Sequence, residues 1–537
     1  MKKVLTKVLA CAMAVTVGGA IFSGCVSGSG GGSGSGKNKI KISVYGGGFG
    51  SEWAVKMIGD YNQSSNGKYE FVKIQDYLDN NDTITAKILA GVTQADIFFT
   101  DQNDISQLMA SGKLLNLKDV WEATPDANGE KIRTKIYEAD TMESLWSNAG
   151  GGIYAIPYTL GVSSQIYDYD LFEDAGWFIT DNSTASGYSK GLDGIEGTYD
   201  DGLPATEMEY ADLLSKILDA RMLPYTLMGS ISGGGIEHLR ESIHAQYEGL
   251  QSYKTSYSYN GKMYIPSTGT TENITPETGY KTLTESEGRN KAIDFISQYV
   301  LKANYIDNDS KNSSHTEAEE RFLFSHNSGM TQIAMTFNGC WWENEARPAF
   351  DSDSTRHGAQ YGFGKRRFGI MPTPALNGQN PDSNGKAYYS VNTFGSVFAV
   401  KSDDEEKNKA MIDFLTYFAS DKGLATFTET VGVVPAYNFK LSENIYNNLT
   451  YYGKTYYDML TAENTLIVMP TVYKYFSSIN YETKNAPKRL AMTIDDYPYS
   501  YMIGAFYAGK SADQMKNAIR NAWTETSWKQ LLSEVGN

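Results

Sequence analysis

Short apolar strands alternate with amphipathic helices along most of this chain. The first five predicted elements are a strand at 39–45, a helix at 51–61, a strand at 69–74, a helix at 82–90 and a buried strand at 95–99. This order is typical of a mostly parallel sheet, because each strand returns to the same end of the sheet through a helix. The predicted fold class is therefore α/β, with ligand-binding residues just beyond the carboxyl ends of the strands.

A pair of tryptophans follows one of the buried strands. The apolar run 333–337 predicts the strand, Asn338-Gly339 predicts a sharp turn, and Trp341 and Trp342 come directly after it. Two adjacent indoles do not both pack easily into one core, so we expect at least one ring to face a cleft. A flat aromatic face there suits the apolar face of a sugar ring. Packing of both rings inside the core or between domains is the alternative.

Polar and aromatic side chains also follow the earlier strands. Asp101 and Asn103 come after the strand at 95–99, and Glu343 follows the two tryptophans. Carboxylates and amides bind vicinal hydroxyl groups in pairs, so these residues are candidate ligand contacts. Trp53, near the start of the helix after Gly46-Gly47-Gly48, is a further candidate. Helix capping by Asp101 and ordinary packing of Trp53 remain open alternatives.

The amino-terminal segment has the features of an export signal. Residues 1–24 combine Lys2-Lys3 with a short apolar run, and residues 25–37 begin with Cys25 and are rich in Gly and Ser. The run Phe22-Ser-Gly-Cys25 resembles the lipobox of bacterial lipoproteins, although leucine is more usual where Phe22 stands. We therefore expect lipid on Cys25, a flexible tether after it, and a body held on the outer face of the bacterial membrane.

Charge and cysteine content exclude several classes of function. The net charge of −16 argues against a nucleic-acid partner, which would require patches of Lys and Arg. Of the three cysteines, only Cys340 lies beyond Cys25, so no disulfide framework is expected. The five histidines are scattered, and His238 and His244 fall on different faces of one predicted helix. Neither a metal ion nor another cofactor is predicted.

Several passages resemble one family of proteins. The passage around Trp341 is similar to the maltose-binding type of extracellular solute-binding protein, family 1, in which the matching tryptophan stacks on the ligand. Further similar passages occur in the same order at 95–117, 152–172, 368–374, 432–437 and 468–473. The resemblance implies that Asn103 contacts the sugar and that Tyr158, Tyr437 and Tyr473 reach the cleft.

The resemblance also implies a domain organisation. It predicts a two-lobed, type II periplasmic-binding-protein-like fold, with 38–157 plus 368–435 as lobe 1 and 158–367 plus 436–537 as lobe 2. Three crossings would join the lobes, and a hinge motion would close them on the ligand. Between 252 and 285 we expect a surface insertion with a hairpin at 257–264, and at 511–532 one closing helix.

The function expected is that of a monomeric, lipid-anchored receptor for an ABC importer. It would capture a neutral oligosaccharide between its lobes and deliver it to the membrane permease, without catalysis. A secreted glycoside hydrolase is one alternative, for which Asp101, Glu343 and Glu345 are the carboxylates available. A receptor for peptides or other polar solutes on the same fold is the other.

Overall fold

A nine-stranded mixed sheet forms the centre of the computed structural model, which describes residues 38–65, 67–74, 81–101, 105–229, 235–473, 492–499 and 501–535. Seven strands lie in the order β2-β1-β3-β10-β4-β8-β5, while β11 pairs with β10 and β9 pairs with β4. Two hairpins, β6–β7 and β12–β13, lie outside this sheet. The strands are β1 Asn38–Val44, β2 Tyr69–Lys73, β3 Ile97–Thr100, β4 Ile156–Asp168, β5 Leu223–Thr226, β6 Gly261–Ile265, β7 Thr270–Ile274, β8 Ile333–Gly339, β9 Phe368–Met371, β10 Ala387–Ala399, β11 Thr465–Val468, β12 Met492–Ile494 and β13 Tyr497–Tyr499.

Helices cover the sheet. Most are short, and the longest of those described has 14 residues. The helices are α1 Glu52–Ser64, α2 Asn81–Ala90, α3 Ser106–Ala110, α4 Lys118–Glu122, α5 Ile132–Lys135, α6 Ala139–Trp146, α7 Tyr169–Ala175, α8 Glu207–Asp219, α9 Ile236–Glu248, α10 Leu250–Ser258, α11 Lys281–Thr284, α12 Glu287–Tyr299, α13 His315–Leu323, α14 Trp342–Glu345, α15 Arg347–His357, α16 Glu405–Phe418, α17 Asp421–Val431, α18 Glu443–Asn448, α19 Tyr451–Thr461, α20 Pro470–Tyr473, α21 Met502–Tyr507, α22 Ala512–Ala522 and α23 Glu525–Val535.

The parallel pairing predicted from the alternation of strands and helices is present in both halves of the sheet. In the first half, β1 pairs in parallel with β2 and β3. In the second half, β5 pairs in parallel with β8. Strands β3 and β8 are buried along their whole length and β5 nearly so, which explains their apolar content, whereas β1 and β2 alternate buried apolar residues with exposed polar ones. The α/β fold class is confirmed.

Strand β4 joins the two halves. Its first part pairs with β10, with Pro157 opposite Ser396, and its last part pairs with β8, with Tyr167 opposite Met335. All 13 of its residues are buried. The neighbouring strand β9 pairs with this last part of β4. That pairing puts β9 in the second half, whereas the predicted division assigned 368–435 to the first lobe.

The stretch from 252 to 285 differs from its prediction. Instead of a hairpin at 257–264, helix α10 continues to Ser258 and ends at Tyr259, whose φ of 50° is left-handed. The hairpin comes later, as β6 and β7. Nor is α10 a surface insertion, because Tyr253 and Tyr257 are buried and both hydroxyls donate to the Glu241 carboxylate. A tyrosine-rich helix that packs inward resembles, in sequence, a polar surface segment.

The carboxyl-terminal helix is also different from its prediction. Instead of one helix at 511–532, the chain forms α22 and α23, with a break at Trp523 and Thr524. The Thr524 hydroxyl accepts a hydrogen bond from the Ser527 amide at 3.2 Å, which is the pattern of a helix start. The break lets the buried Trp528 donate its indole N–H to the Pro276 carbonyl at 2.7 Å.

Tyr253→Ala should lower the free energy of unfolding by about 3–5 kcal/mol, the range for removing a buried aromatic side chain. The matched control is Tyr264→Ala on β6, because Tyr264 is 49% exposed and its loss should cost about 0.5 kcal/mol or less. Equilibrium urea denaturation of both variants measures the difference. Equal losses of unfolding free energy in the two variants would show that Tyr253 is not buried and that this stretch lies at the surface.

Candidate ligand-binding site

The carboxyl ends of β1 and β8 meet where the two halves of the protein touch. A 3₁₀ turn, Gly47–Phe49, follows β1, and α14 follows β8. The Asn344 side chain donates a hydrogen bond to the Gly48 carbonyl at 2.8 Å. We call this contact the lobe junction, defined by the turn and α14. It lies where ligands bind in open α/β sheets.

Trp341 lies at the lobe junction between two glycines. A Cβ atom on Gly48 would lie 2.1 Å from Cδ1 of the indole, and one on Gly339 would lie 2.3 Å from Cη2. Any other residue at either position would displace the ring. Phe49 meets the indole edge-on, with ring centroids 5.7 Å apart. Trp341 remains partly exposed, so this predicted site residue has an aromatic surface at the junction.

Acidic groups from both halves converge on Tyr45, which follows β1. Burial raises the pKa of Tyr45, and the carboxylates of Asp101 and Glu345 raise it further. Asp101 follows β3 in the first half, and Glu345 ends α14 in the second half. The predicted residue Asp101 and Glu345 are thus each close to Tyr45, and neither Tyr45 nor Glu345 was predicted as a sugar contact. The signal for Tyr45 was its place at the end of the first strand.

A second acidic residue, Glu319 on α13, lies beside Glu345. Burial, followed by the neighbouring Glu345 carboxylate, raises the pKa of Glu319 well above the usual range of a glutamate. The Asn338 amide donates to Glu319 Oε1 at 3.0 Å, and His315 Nε2 lies 3.8 Å from Glu345 Oε1. A negative charge on a neighbouring carboxyl group disfavours ionisation of a buried acid, which explains the direction of the shift in the pKa of Glu319.

Three predicted site residues form an aromatic layer behind the junction. Trp53, Tyr158 and Tyr437 each expose about 1% of their surface. Trp53 stacks on Tyr158 at 5.8 Å and donates its N–H to the Gly50 carbonyl. The Tyr158 hydroxyl donates to the Tyr45 carbonyl at 3.2 Å, and the Tyr437 hydroxyl donates to the Pro157 carbonyl at 2.7 Å. In this conformation the three side chains pack against other residues of the protein, and their contact with a ligand stays a prediction.

The residues after Trp341 also turn inward. Trp342 has 0% exposure, and its ring is enclosed by Phe322, Phe350, Phe368 and Tyr452. Glu343 is buried and accepts a hydrogen bond from the Thr450 hydroxyl at 2.5 Å. Of the tryptophan pair, Trp341 is therefore the one with a face at the junction. The role of Trp342 and Glu343 shown by the structure is packing and hydrogen bonding.

The remaining predicted residues lie away from the junction or outside the described residues. Tyr473 is buried against α10, with Lys254 Nζ 4.7 Å above its ring. Asn103 and Cys25 lie outside the described residues. A separate groove of about 780 Å³ runs beside α10, β6 and the loop 378–386. No predicted site residue lines it, so the junction remains the candidate site.

One group of side chains has the composition of a metal site. His326, Asp353 and His357 bring their ligand atoms within 4.8 Å of one another. The histidines were predicted to be scattered, but the fold brings His326 and His357 together although they are 31 positions apart in sequence. This group lies on α15 and the turn after α13, separate from Trp341.

Comparison with known proteins decides the family. The family profile described as "Bacterial extracellular solute-binding protein" matches residues 56–438, well over half of the chain. The chain belongs to this family. Within the described ranges, no helix combines the length and apolar character that crossing a bilayer requires. A search of the curated proteins found no match.

Solved structures show the same fold in other solute-binding proteins. Apo RafE from Streptococcus pneumoniae is 12% identical, with a TM-score of 0.56, and the match covers 92% of this chain and 99% of RafE. The receptor AcbH is also 12% identical with a TM-score of 0.56, covering 94% and 100%. A protein from a study of xylan utilization by Caldanaerobius polysaccharolyticus is 15% identical with a TM-score of 0.56, covering 90% and 100%. The predicted two-lobed solute-binding fold is confirmed.

Glu343→Gln should flatten the pH dependence of stability of this solute-binding protein. Burial raises the pKa of Glu343 from 4.5 to about 7, so between these values the folded state binds more protons than the unfolded state. The free energy of unfolding contributed by this group is therefore complete below pH 4.5 and is lost as the pH rises through 7. The loss amounts to about 3 kcal/mol.

Glutamine cannot ionise, so the variant should lack this loss. Urea denaturation between about pH 4.5 and 8 measures it, with Glu405→Gln, at an exposed position on α16, as the matched control. The control should keep the slope of the unaltered protein. A Glu343→Gln variant with that same slope would show that Glu343 is ionised throughout.

Proposed function

We propose that this solute-binding protein is the lipid-anchored receptor of an ABC importer and captures a neutral oligosaccharide between its lobes. The observation that carries the proposal is the position of Trp341, whose indole lies at the lobe junction beside acidic groups from both halves. An aromatic face flanked by carboxylate and phenol groups matches a sugar, which has an apolar ring face and a rim of hydroxyls.

The ligands of similar structures support a sugar. RafE has been solved in complex with raffinose, and AcbH is described as having an exclusive preference for β-D-galactopyranose. Another similar structure, the GacH receptor of Streptomyces glaucescens, has been solved with acarbose. These ligands share a polyhydroxylated ring. At 12% identity these similarities show a shared fold only. The proposal that this chain binds a sugar therefore rests on its own junction residues.

Closure on the ligand is proposed as a hinge motion about β4 and β10. The first lobe would comprise 38–157 with the later part of β10, and the second would contain β8, β9 and β5. Among the described residues, the contacts between the lobes here include the Asn344–Gly48 hydrogen bond, the Phe49–Trp341 edge contact and a hydrogen bond from Arg347 to the Thr430 carbonyl. A ligand that touches both lobes would stabilise the closed state by its extra contacts there.

Calorimetric titration with a panel of neutral oligosaccharides, monosaccharides and peptides tests the proposal. We expect saturable binding of at least one oligosaccharide, with an affinity that changes little with salt because the ligand is uncharged. Binding of peptides alone, or a steep salt dependence, would contradict the proposal.

Trp341→Ala should weaken binding of the selected sugar by about 1–3 kcal/mol, the contribution of a buried aromatic contact. Trp341→Tyr should restore part of the loss because it keeps a flat ring. Tyr264→Ala, which removes an exposed aromatic side chain from the β6–β7 hairpin, is the control and should bind as the unaltered protein does. Undiminished affinity in Trp341→Ala would remove this residue from the site.

Delivery from the membrane surface requires the anchor. Replacing Cys25 by Ala should release the protein from the membrane fraction while leaving its affinity for the sugar unchanged, because Cys25 is not one of the proposed sugar contacts. Cell fractionation in the native host and calorimetry on the released protein measure the two effects. Membrane association that persists in the variant would show that Cys25 is not the site of lipidation.

A secreted glycoside hydrolase remains the second candidate, because Asp101 and Glu345, from different halves of the protein, both lie near Tyr45 at the junction. Two carboxyl groups that flank one glycosidic bond are the minimum equipment for cleaving it. Incubating the protein with the oligosaccharide that it binds, and analysing the sugar by mass spectrometry, separates the candidates. Recovery of the intact sugar supports the receptor, and catalytic release of shorter sugars supports the hydrolase.

A further inference from the structure

Two histidines and an aspartate form a compact cluster on the second half of the protein. His326 Nε2 lies 2.9 Å from Asp353 Oδ2 and 3.2 Å from Oδ1. His357 Nδ1 lies 2.6 Å from Asp353 Oδ1. One carboxylate thus has an imidazole nitrogen on each side. We call these three residues the His–Asp–His cluster.

The carboxylate of the cluster is enclosed by the fold. Asp353 has a side-chain exposure of 0%, whereas His326 is 11% exposed and His357 is 33% exposed. A buried carboxylate must be paired with a positive charge or a metal ion, because leaving water is otherwise too costly. The exposed edge of His357 leaves a side from which an ion and a water molecule can approach.

The orientation of each ligand is set by its surroundings. Asp353 and His357 are one turn apart on α15, so they share a face of the helix. His326 ends a 3₁₀ turn after α13, and its ring stacks on Tyr361 with centroids 3.7 Å apart and planes 11° apart. Phe324 packs edge-on against His357 at 6.2 Å. These contacts hold the three ligand atoms within 4.8 Å of one another.

We propose that the His–Asp–His cluster binds a divalent transition-metal ion of the zinc class. Two imidazole nitrogens and one carboxylate oxygen form a ligand set that suits Zn²⁺ or Co²⁺, with water as the fourth ligand. Bonds of about 2.0–2.1 Å in a tetrahedron place ligand atoms about 3.3 Å apart. The observed imidazole–carboxylate separations of 2.6–3.2 Å would have to widen by about 0.1–0.7 Å to reach this spacing, and all three ligand atoms already lie within 4.8 Å of one another. Two imidazoles disfavour Ca²⁺ and Mg²⁺, which prefer oxygen.

The ion would join the end of α13 to the end of α15. Helix α13 carries Glu319, and α15 begins two residues after Glu345, so both helices carry or adjoin groups of the lobe junction. A metal bound at their far ends would fix the two helices relative to each other. Its effect would be on the stability of the second half rather than on contact with the sugar, so this inference does not depend on the proposed ligand.

The test uses the purified protein, stripped of metal with a chelator and titrated separately with Zn²⁺, Co²⁺ and Ca²⁺. We expect one equivalent of Zn²⁺ to bind and to raise the melting temperature. Co²⁺ should give a visible absorption band typical of tetrahedral nitrogen and oxygen ligands, and Ca²⁺ should have no effect. His326→Gln and His357→Gln should each weaken zinc binding at least tenfold. His238→Gln, a histidine on α9 outside the cluster, is the control and should bind as the unaltered protein does.

A measurement without variants guards against misfolding of the substituted proteins. In the unaltered protein, Zn²⁺ should protect His326 and His357 from modification by diethyl pyrocarbonate, while His238 should react at the same rate with and without the ion. Absence of stoichiometric zinc binding, equal binding by the His326→Gln/His357→Gln double variant, or equal modification of the cluster in both conditions would overturn the proposal.

Discussion

The pairing of β4 with both halves of the sheet is the constraint on which the rest of the structure depends. Its first residues complete the half formed by β1, β3 and β10, and its last residues begin the half that contains β8 and β9. Every residue of β4 is buried, so each half needs this strand for its own core. Backbone hydrogen bonds of β4 therefore connect the two halves, and the Asn344–Gly48 hydrogen bond and the Phe49–Trp341 contact join them again at the junction.

Local patterns were sufficient to predict the first five elements, from β1 to β3. The order of strand and helix there follows from hydrophobic periodicity, because each of these elements buries one continuous face. The same reasoning was wrong for α10, where tyrosine, serine and threonine form a buried helix. There Glu241 accepts hydrogen bonds from two tyrosine hydroxyls, and such a partner 12 and 16 residues away leaves no local signal. The break after α22 was missed because Thr524 and Ser527 look like ordinary helix-surface residues.

The sequence predicted where the candidate site lies, but not which residues line it. Asp101 and Trp341 do lie beyond the carboxyl ends of their strands, near Tyr45 and beside Gly48, while binding of a ligand there stays a prediction. Which aromatic residues would be enclosed could not be predicted, because enclosure depends on residues distant in sequence. Trp53 meets Phe427, and Trp342 meets Tyr452. The proximity of the two histidines of the His–Asp–His cluster could not be predicted for the same reason, since α13 and α15 come together only in the folded protein.

The geometry of the short helix α14 explains why four consecutive residues make contacts with four different parts of the protein. Successive side chains leave a helix about 100° apart, so four consecutive residues point in four directions. Trp342 enters the aromatic core, Glu343 accepts from Thr450, Asn344 donates to Gly48 of the other half, and Glu345 lies beside Glu319. Trp341 immediately precedes this helix. The aromatic side chain at the junction is therefore attached directly to the helix that contacts the other half through Asn344.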